Sequence, residues 1–206
     1  MKIIDLNFEL RRKIFHLSAL AIPLCYIFTS RLTAILLLFV IAGCALYLDI
    51  SRHYNGTIRE FVTKFFTRIM RSEEASGSFR LSGVSFMMLG FFVTALLFPK
   101  NLVICSWLIL IISDCLAALV GIKIGEPLDN GKSIAGASAF LSSAVFISIL
   151  VYFFIGYNTS FIVIIISSIA ATAVEFYSKQ IGVNDNLSIP LAYCLSTVIF
   201  SFITEI

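Results

Sequence analysis

Apolar residues fall in seven long blocks, near residues 14–29, 31–50, 82–98, 101–121, 134–156, 159–176 and 188–205, with short polar links between them. A bilayer core of roughly 30 Å takes about 20 helical residues to cross, and most of the blocks approach that length. The first is short unless it begins before Arg12. In lipid each segment has to satisfy its own backbone polar groups, so every block is expected as a helix. The pattern changes between the second and third blocks. Residues 57–71 place Ile58, Phe61, Val62, Phe65, Phe66, Ile69 and Met70 at helical spacing, with Arg59, Glu60, Lys64, Arg68 and Arg71 on the other face. That pattern predicts an amphipathic helix in the membrane interface, or a surface linker that shares its periodicity. Ser72 to Gly77 reads as a turn before the third block. The expected fold is all-α: one polytopic membrane helical bundle over residues 1–206, with about seven transmembrane helices plus one interfacial amphipathic helix.

Composition agrees with this and excludes a soluble domain. The chain is 59% hydrophobic and 13% charged, against about 25% charged in soluble proteins; its mean hydropathy is +1.00. With the N-terminus placed in the cytoplasm, 13 of the 15 Lys and Arg residues fall on the inner side, and Arg31 and Lys100 fall outside. The positive-inside rule therefore predicts a cytoplasmic N-terminus. Asp5 and Glu9 dilute the basic start and no small-residue cleavage site follows, so a cleaved signal peptide is not expected. Cys25, Cys44, Cys105, Cys115 and Cys194 stand singly in apolar segments, which reads as packing rather than metal binding. The compact chain without a transit segment points to a bacterial inner membrane.

Asp114 stands in the run I-L-I-I-S-D-C-L-A-A-L-V-G. An ionisable residue there costs roughly 2.5 kcal/mol or more on insertion, which marks it as a functional candidate or as the partner of a lysine or arginine inside the bundle. Ala117, Ala118, Gly121 and Gly125 share its helical face, a pattern that close helix packing also produces. Gly131-Lys132-Ser133 then opens the fifth block, offering backbone N–H groups, a cation and a hydroxyl to an anion. Five residues separate Gly125 from Gly131 instead of the four of a P-loop, and no strand precedes them, so the P-loop fold is rejected. Glu126 and Asp129 read as loop-solvating acids. Arg12 and Lys13 line the inner mouth of the first block, as phosphate or head-group ligands or as ordinary anchors, and His16 lies deeper, as a further ligand or in a hydrogen bond between helices. Glu175, on a small and polar face with Ser168, Ala171 and Thr172, and Asp185 lie toward the same leaflet as Asp114. These three acids are candidate Mg²⁺ ligands, since Mg²⁺ is usually held by one or two carboxylates plus substrate phosphates. Asp185-Asn186 also reads as a helix cap.

In order, R-K-x-x-H, D-x-x-A-A-x-x-G-x-x-x-G, K-S-x-x-G and E followed by D-N-L-x-I-P-L resemble the CTP-dependent lipid kinases, the family of dolichol, phytol and farnesol kinases and the yeast-type diacylglycerol kinase. The residues are Arg12, Lys13 and His16; Asp114, Gly121 and Gly125; Lys132, Ser133 and Gly136; and Glu175, Asp185 and Asn186. Many members have K-S-x-E-G-S, where this chain has Ala135 and Ala137. That difference weakens a dolichol assignment in particular.

The resemblance implies phosphorylation of a membrane lipid alcohol, diacylglycerol or a polyprenol or phytol-type isoprenoid, at the cytoplasmic face. CTP would be the phosphoryl donor and Mg²⁺ or another divalent cation the cofactor; no nucleic-acid partner is expected. Asp114 would hold the ion with Glu175 or Asp185. Lys132, Ser133, Gly121, Gly125, Gly136 and Asn186 would line the nucleotide site, with Arg12 and Lys13 neutralising the triphosphate. His16 and Asp185 are the candidates for a base. Two other readings remain: CDP-lipid synthesis of the phosphatidate cytidylyltransferase type, although its H-G-G-x-x-D-R ending is absent, and a small ion-coupled transporter, although no internal repeat is visible.

Overall fold

The computed structural model describes residues 6–66 and 81–204. Every regular element among them is a helix. We number them α1 (Leu6–Ser18), α2 (Ala21–Phe28), α3 (Arg31–Tyr54), α4 (Gly56–Phe66), α5 (Gly83–Leu97), α6 (Lys100–Ile124), α7 (Ile134–Ile155), α8 (Phe161–Ile181) and α9 (Asp185–Thr204). Five of these, α3, α6, α7, α8 and α9, are long and apolar enough to cross a membrane, and α5 is a shorter apolar helix. Phe28, Phe154 and Phe202 stand 90%, 82% and 70% exposed on the outside, as lipid-facing side chains do in an integral membrane protein.

The expectation of seven spans is met only in part. The first block is divided: α1 ends at Ser18 and α2 begins at Ala21, with Ala19, Leu20 and Ile22 bonding three residues back instead of four. Pro23 explains the break. It has no N–H, and its ring disfavours a helical carbonyl four residues earlier, so it fits the first turn of a new helix. The interfacial helix is present as α4, Gly56–Phe66. The remainder of the expected 57–71 element and the turn at 72–77 lie outside the described residues.

α6 is the axis of the bundle, with 67% of its apolar window buried against 39% or less for the other four long helices. Trp107 on α6 stacks on Phe91 at 4.5 Å and on Tyr26 at 5.2 Å, and its indole N–H donates to Thr94 at 2.8 Å. Buried hydroxyls tie the other helices together, Ser148 to Tyr193 at 2.7 Å and Thr197 to Ser167 at 2.9 Å. At the end of the bundle away from Lys13, polar side chains finish open helix C-termini. Arg31 donates to the Ala95 and Leu96 carbonyls, Lys100 to Ile27 and Thr29, and Asn101 to Ile155 and Gly156. Arg31 and Lys100, the two cations set apart by the charge distribution, therefore act as caps.

Candidate functional site

Asp114 follows a five-residue π-helical turn, Ile109–Ser113, inside α6. Such turns are rare and recur at functional sites. α1 packs beside it and supplies the partners. Lys13, 2% exposed, donates to the Asp114 carboxylate at 2.6 Å and to its backbone carbonyl at 3.0 Å. His16 Nε2 reaches the Leu110 carbonyl at 3.4 Å and lies 3.8 Å from Asp114 Oδ2. The spacing of three between Lys13 and His16 puts both on one face of α1, so a single helix contact brings both to the carboxylate. Arg12, half-buried, lies within electrostatic reach of Asp114.

A second ion pair lies nearby. The loop from Gly125 to Ser133 closes as a tight turn: Gly131 N–H donates to Leu128 O at 2.7 Å, and Leu128 N–H to Lys132 O at 2.8 Å. Gly131 has φ +76°, a conformation that glycine adopts without steric penalty. Asn130 fastens the turn to α8, its amide donating to Phe176 O at 2.9 Å and its carbonyl oxygen accepting from Lys132 N–H at 2.9 Å. So held, the Lys132 ammonium pairs with Glu175, which is 2% exposed. Burial opposes the charge on Lys132. The carboxylates of Glu175, Asp114 and Asp185 outweigh that and hold its pKa above the ordinary lysine value. Lys132 is thus the electrostatic link among the three acids named as metal ligands. Among the described residues, those acids do not form a group of three metal-ligating side chains; Asp114 and Glu175 each face a lysine instead.

The small residues are accounted for by packing. A Cβ on Gly136 would sit 2.8 Å from Ala117 O, and one on Gly121 3.0 Å from Ser133 Oγ; one on Gly125 would collide with the Ser133 side chain. Gly121, Gly125 and Gly136 let α6 and α7 approach closely, the alternative reading that their spacing allowed. Ser133 caps α7, its Oγ accepting from Gly136 N–H at 3.0 Å. Asn186 donates its side-chain amide to Gly83 O at 2.9 Å, tying α9 to the start of α5. The cap expected at Asp185-Asn186 is shared with Asn184: Asn186 N–H donates to Asn184 Oδ1 at 3.0 Å and to Asp185 Oδ1 at 3.1 Å. Glu126 and Asp129 are exposed on the loop.

Three participants were missed. Asn130 positions Lys132, and loop asparagines carry little signal. Asp49 and Arg52 form another buried pair, Arg52 Nε lying 3.1 Å from Asp49 Oδ1. The other carboxylate oxygen accepts from Ser82 N–H and Ser85 Oγ–H, both at 2.6 Å. An acid at the end of the apolar run A-L-Y-L-D-I carries the same signal as Asp114 and would have found this cluster.

Fold and site together define a polytopic helical membrane protein with lysine-paired carboxylates enclosed at one end of the bundle. The chain is 67% identical over 203 residues to the uncharacterized protein RP860 of Rickettsia prowazekii (strain Madrid E), covering 98% of this chain and all of that one. It belongs to that protein's family. It is also 26% identical over 166 residues to the uncharacterized protein MJ1137 of Methanocaldococcus jannaschii, covering 80% of this chain and 78% of that one. No family model matches the chain, and no solved structure matches it.

Proposed function

We propose that the protein transfers the γ-phosphoryl group of CTP to the hydroxyl of a membrane lipid alcohol, at the cytoplasmic face of a bacterial inner membrane. In this reading α1 and α2 together make the first of seven passes, α5 makes a short one, and the N-terminus is cytoplasmic. The observation that carries the proposal is the pair of enclosed contacts Lys13–Asp114 and Lys132–Glu175, contributed by α1, α6, the loop before α7, and α8. The motif resemblance adds the donor and the class of acceptor.

Phosphoryl transfer requires mainly positioning and charge neutralisation. Two ammonium groups paired with two carboxylates form a neutral set whose members can change partners. On nucleotide binding, Lys13 and Lys132 would turn from carboxylate to phosphate oxygens, and Arg12 would add charge at the mouth. The freed carboxylates fit a divalent ion, because one or two carboxylates plus substrate phosphates make a common Mg²⁺ site. Asp114, with Glu175, would hold that ion, which when bound neutralises charge developing on the phosphates. His16 stands close enough to Asp114 to take part in handling the acceptor's proton.

The test uses purified protein in lipid micelles, CTP labelled at the γ-phosphate, diacylglycerol, phytol, farnesol and long polyprenols as alcohol acceptors, and phosphatidate as the acceptor for cytidylyl transfer. Label entering lipid is the expected result. Pyrophosphate release with cytidine entering lipid would replace the proposal with cytidylyl transfer. No transfer to any acceptor would remove both.

A further inference from the structure

Ser113, the last residue of the π-helical turn, is 0% exposed and its Oγ has no hydrogen-bond partner. Buried hydroxyls in this bundle normally satisfy themselves by bonding back to their own helix. Ser106, equally enclosed and seven residues earlier on α6, donates to Val103 O at 2.8 Å; Ser148 donates to Ala144 O and Ser196 to Ala192 O, both at 2.7 Å. Ser113 does not take this route. An unpaired enclosed hydroxyl is costly, so its persistence next in the chain to the lysine-paired Asp114 calls for a ligand. The turn itself is fixed from outside: α1 donates to carbonyls at both its ends, His16 to Leu110 and Lys13 to Asp114. The neighbours also define the chemistry of that ligand. The Asp114 charge is already answered by Lys13, so Ser113 is not called on to hold an ion. A neutral group that both donates and accepts suits the hydroxyl. Ser168 Oγ is also buried without a partner, but it stands seven residues from the nearest carboxylate on its helix, Glu175, whereas Ser113 directly precedes Asp114.

We propose that Ser113 Oγ receives the hydroxyl of the lipid alcohol and holds it beside Asp114. This rests on the phosphoryl-transfer reading for its choice of ligand, and its test does not need turnover. Binding of farnesol, phytol and 1,2-diacylglycerol to the purified full chain is compared with binding of their O-methyl ethers. Wild type should prefer each alcohol. Ser113→Ala should bind the alcohol about fivefold more weakly, the scale of one neutral hydrogen bond, and bind the ether unchanged. Ser113→Cys, close in shape but a weak donor, should move the same way, and Ser106→Ala should keep the wild-type preference. The thermal midpoint of Ser113→Ala should stay level or rise, because an unpaired polar group is removed; a purely structural serine would lower it. A wild type without preference, or a preference that survives in both Ser113 variants, would overturn the assignment. If CTP labels no lipid yet Ser113→Ala erases the preference, the kinase reading fails and this one stands. If label is transferred and the preference survives in both variants, the reverse holds.

Discussion

Breaking the Lys13–Asp114 contact from either side should be expensive, and breaking it from both sides should not be. At 2.6 Å and an effective dielectric of about 20, the attraction is roughly 6 kcal/mol before the desolvation of both groups is set against it. The net value of the pair is therefore much smaller than the penalty for leaving one member alone. With the side chains 3% and 9% exposed, the survivor of a single substitution remains a charge with almost no water. Lys13→Met and Asp114→Asn should each cost about 3–5 kcal/mol. The double variant should cost less than either, giving a coupling energy of at least about 3 kcal/mol. Equilibrium unfolding by SDS titration in mixed micelles measures all four corners of this cycle. Single costs that simply add in the double variant would refute the idea that the pair compensates itself. Under the proposed function the double variant should be folded and still inactive, because it restores neutrality without restoring the carboxylate.

Three further expectations follow from other parts of the structure. Gly136→Ala should destabilise by about 1–3 kcal/mol, because the new methyl meets the Ala117 carbonyl at 2.8 Å. Gly43→Ala, with nothing within 4 Å, should be neutral or stabilise by up to about 1 kcal/mol, and the same titration compares the two. Lys132 has a raised pKa, so the stability it lends is whole below the unfolded value of about 10.4 and is lost as pH rises through the higher folded value. The gap between wild type and Lys132→Met should thus shrink above about pH 10.5; a gap that grew there would contradict the sign. Asp49→Asn should cost about 1.5–3 kcal/mol in thermal or SDS unfolding, since it weakens two 2.6 Å hydrogen bonds and leaves Arg52 without its carboxylate.

The helices were legible because lipid leaves few alternatives: an apolar block of about 20 residues has to close its own hydrogen bonds. The division of the first block was less legible, because periodicity counts apolar residues and gives no weight to one missing N–H at Pro23. The glycines are ambiguous in a different way. Gly121, Gly125 and Gly136 fit a nucleotide-binding motif in spacing, but the same spacing lets two helices touch, and only the placement of Ala117 O and Ser133 reveals that contact. Small residues record that something comes close without recording what.

The acids and their partners differ in legibility for a related reason. A carboxylate in an apolar run is rare enough to stand out, so Asp114 is visible in the sequence and Asp49 should have been. Lysines at the inner mouth are already explained by topology, and nothing in the one-dimensional pattern separates an anchoring lysine from one turned inward. Depth separates them. Lys13 is 2% exposed and fastened to Asp114, whereas Lys123, near the C-terminus of α6, stands exposed. An anchoring lysine gains by keeping its ammonium in water, so one that gives up almost all of that hydration is held by its carboxylate. Lys13, rather than the basic cluster as a whole, is therefore the residue whose loss should be felt at the site.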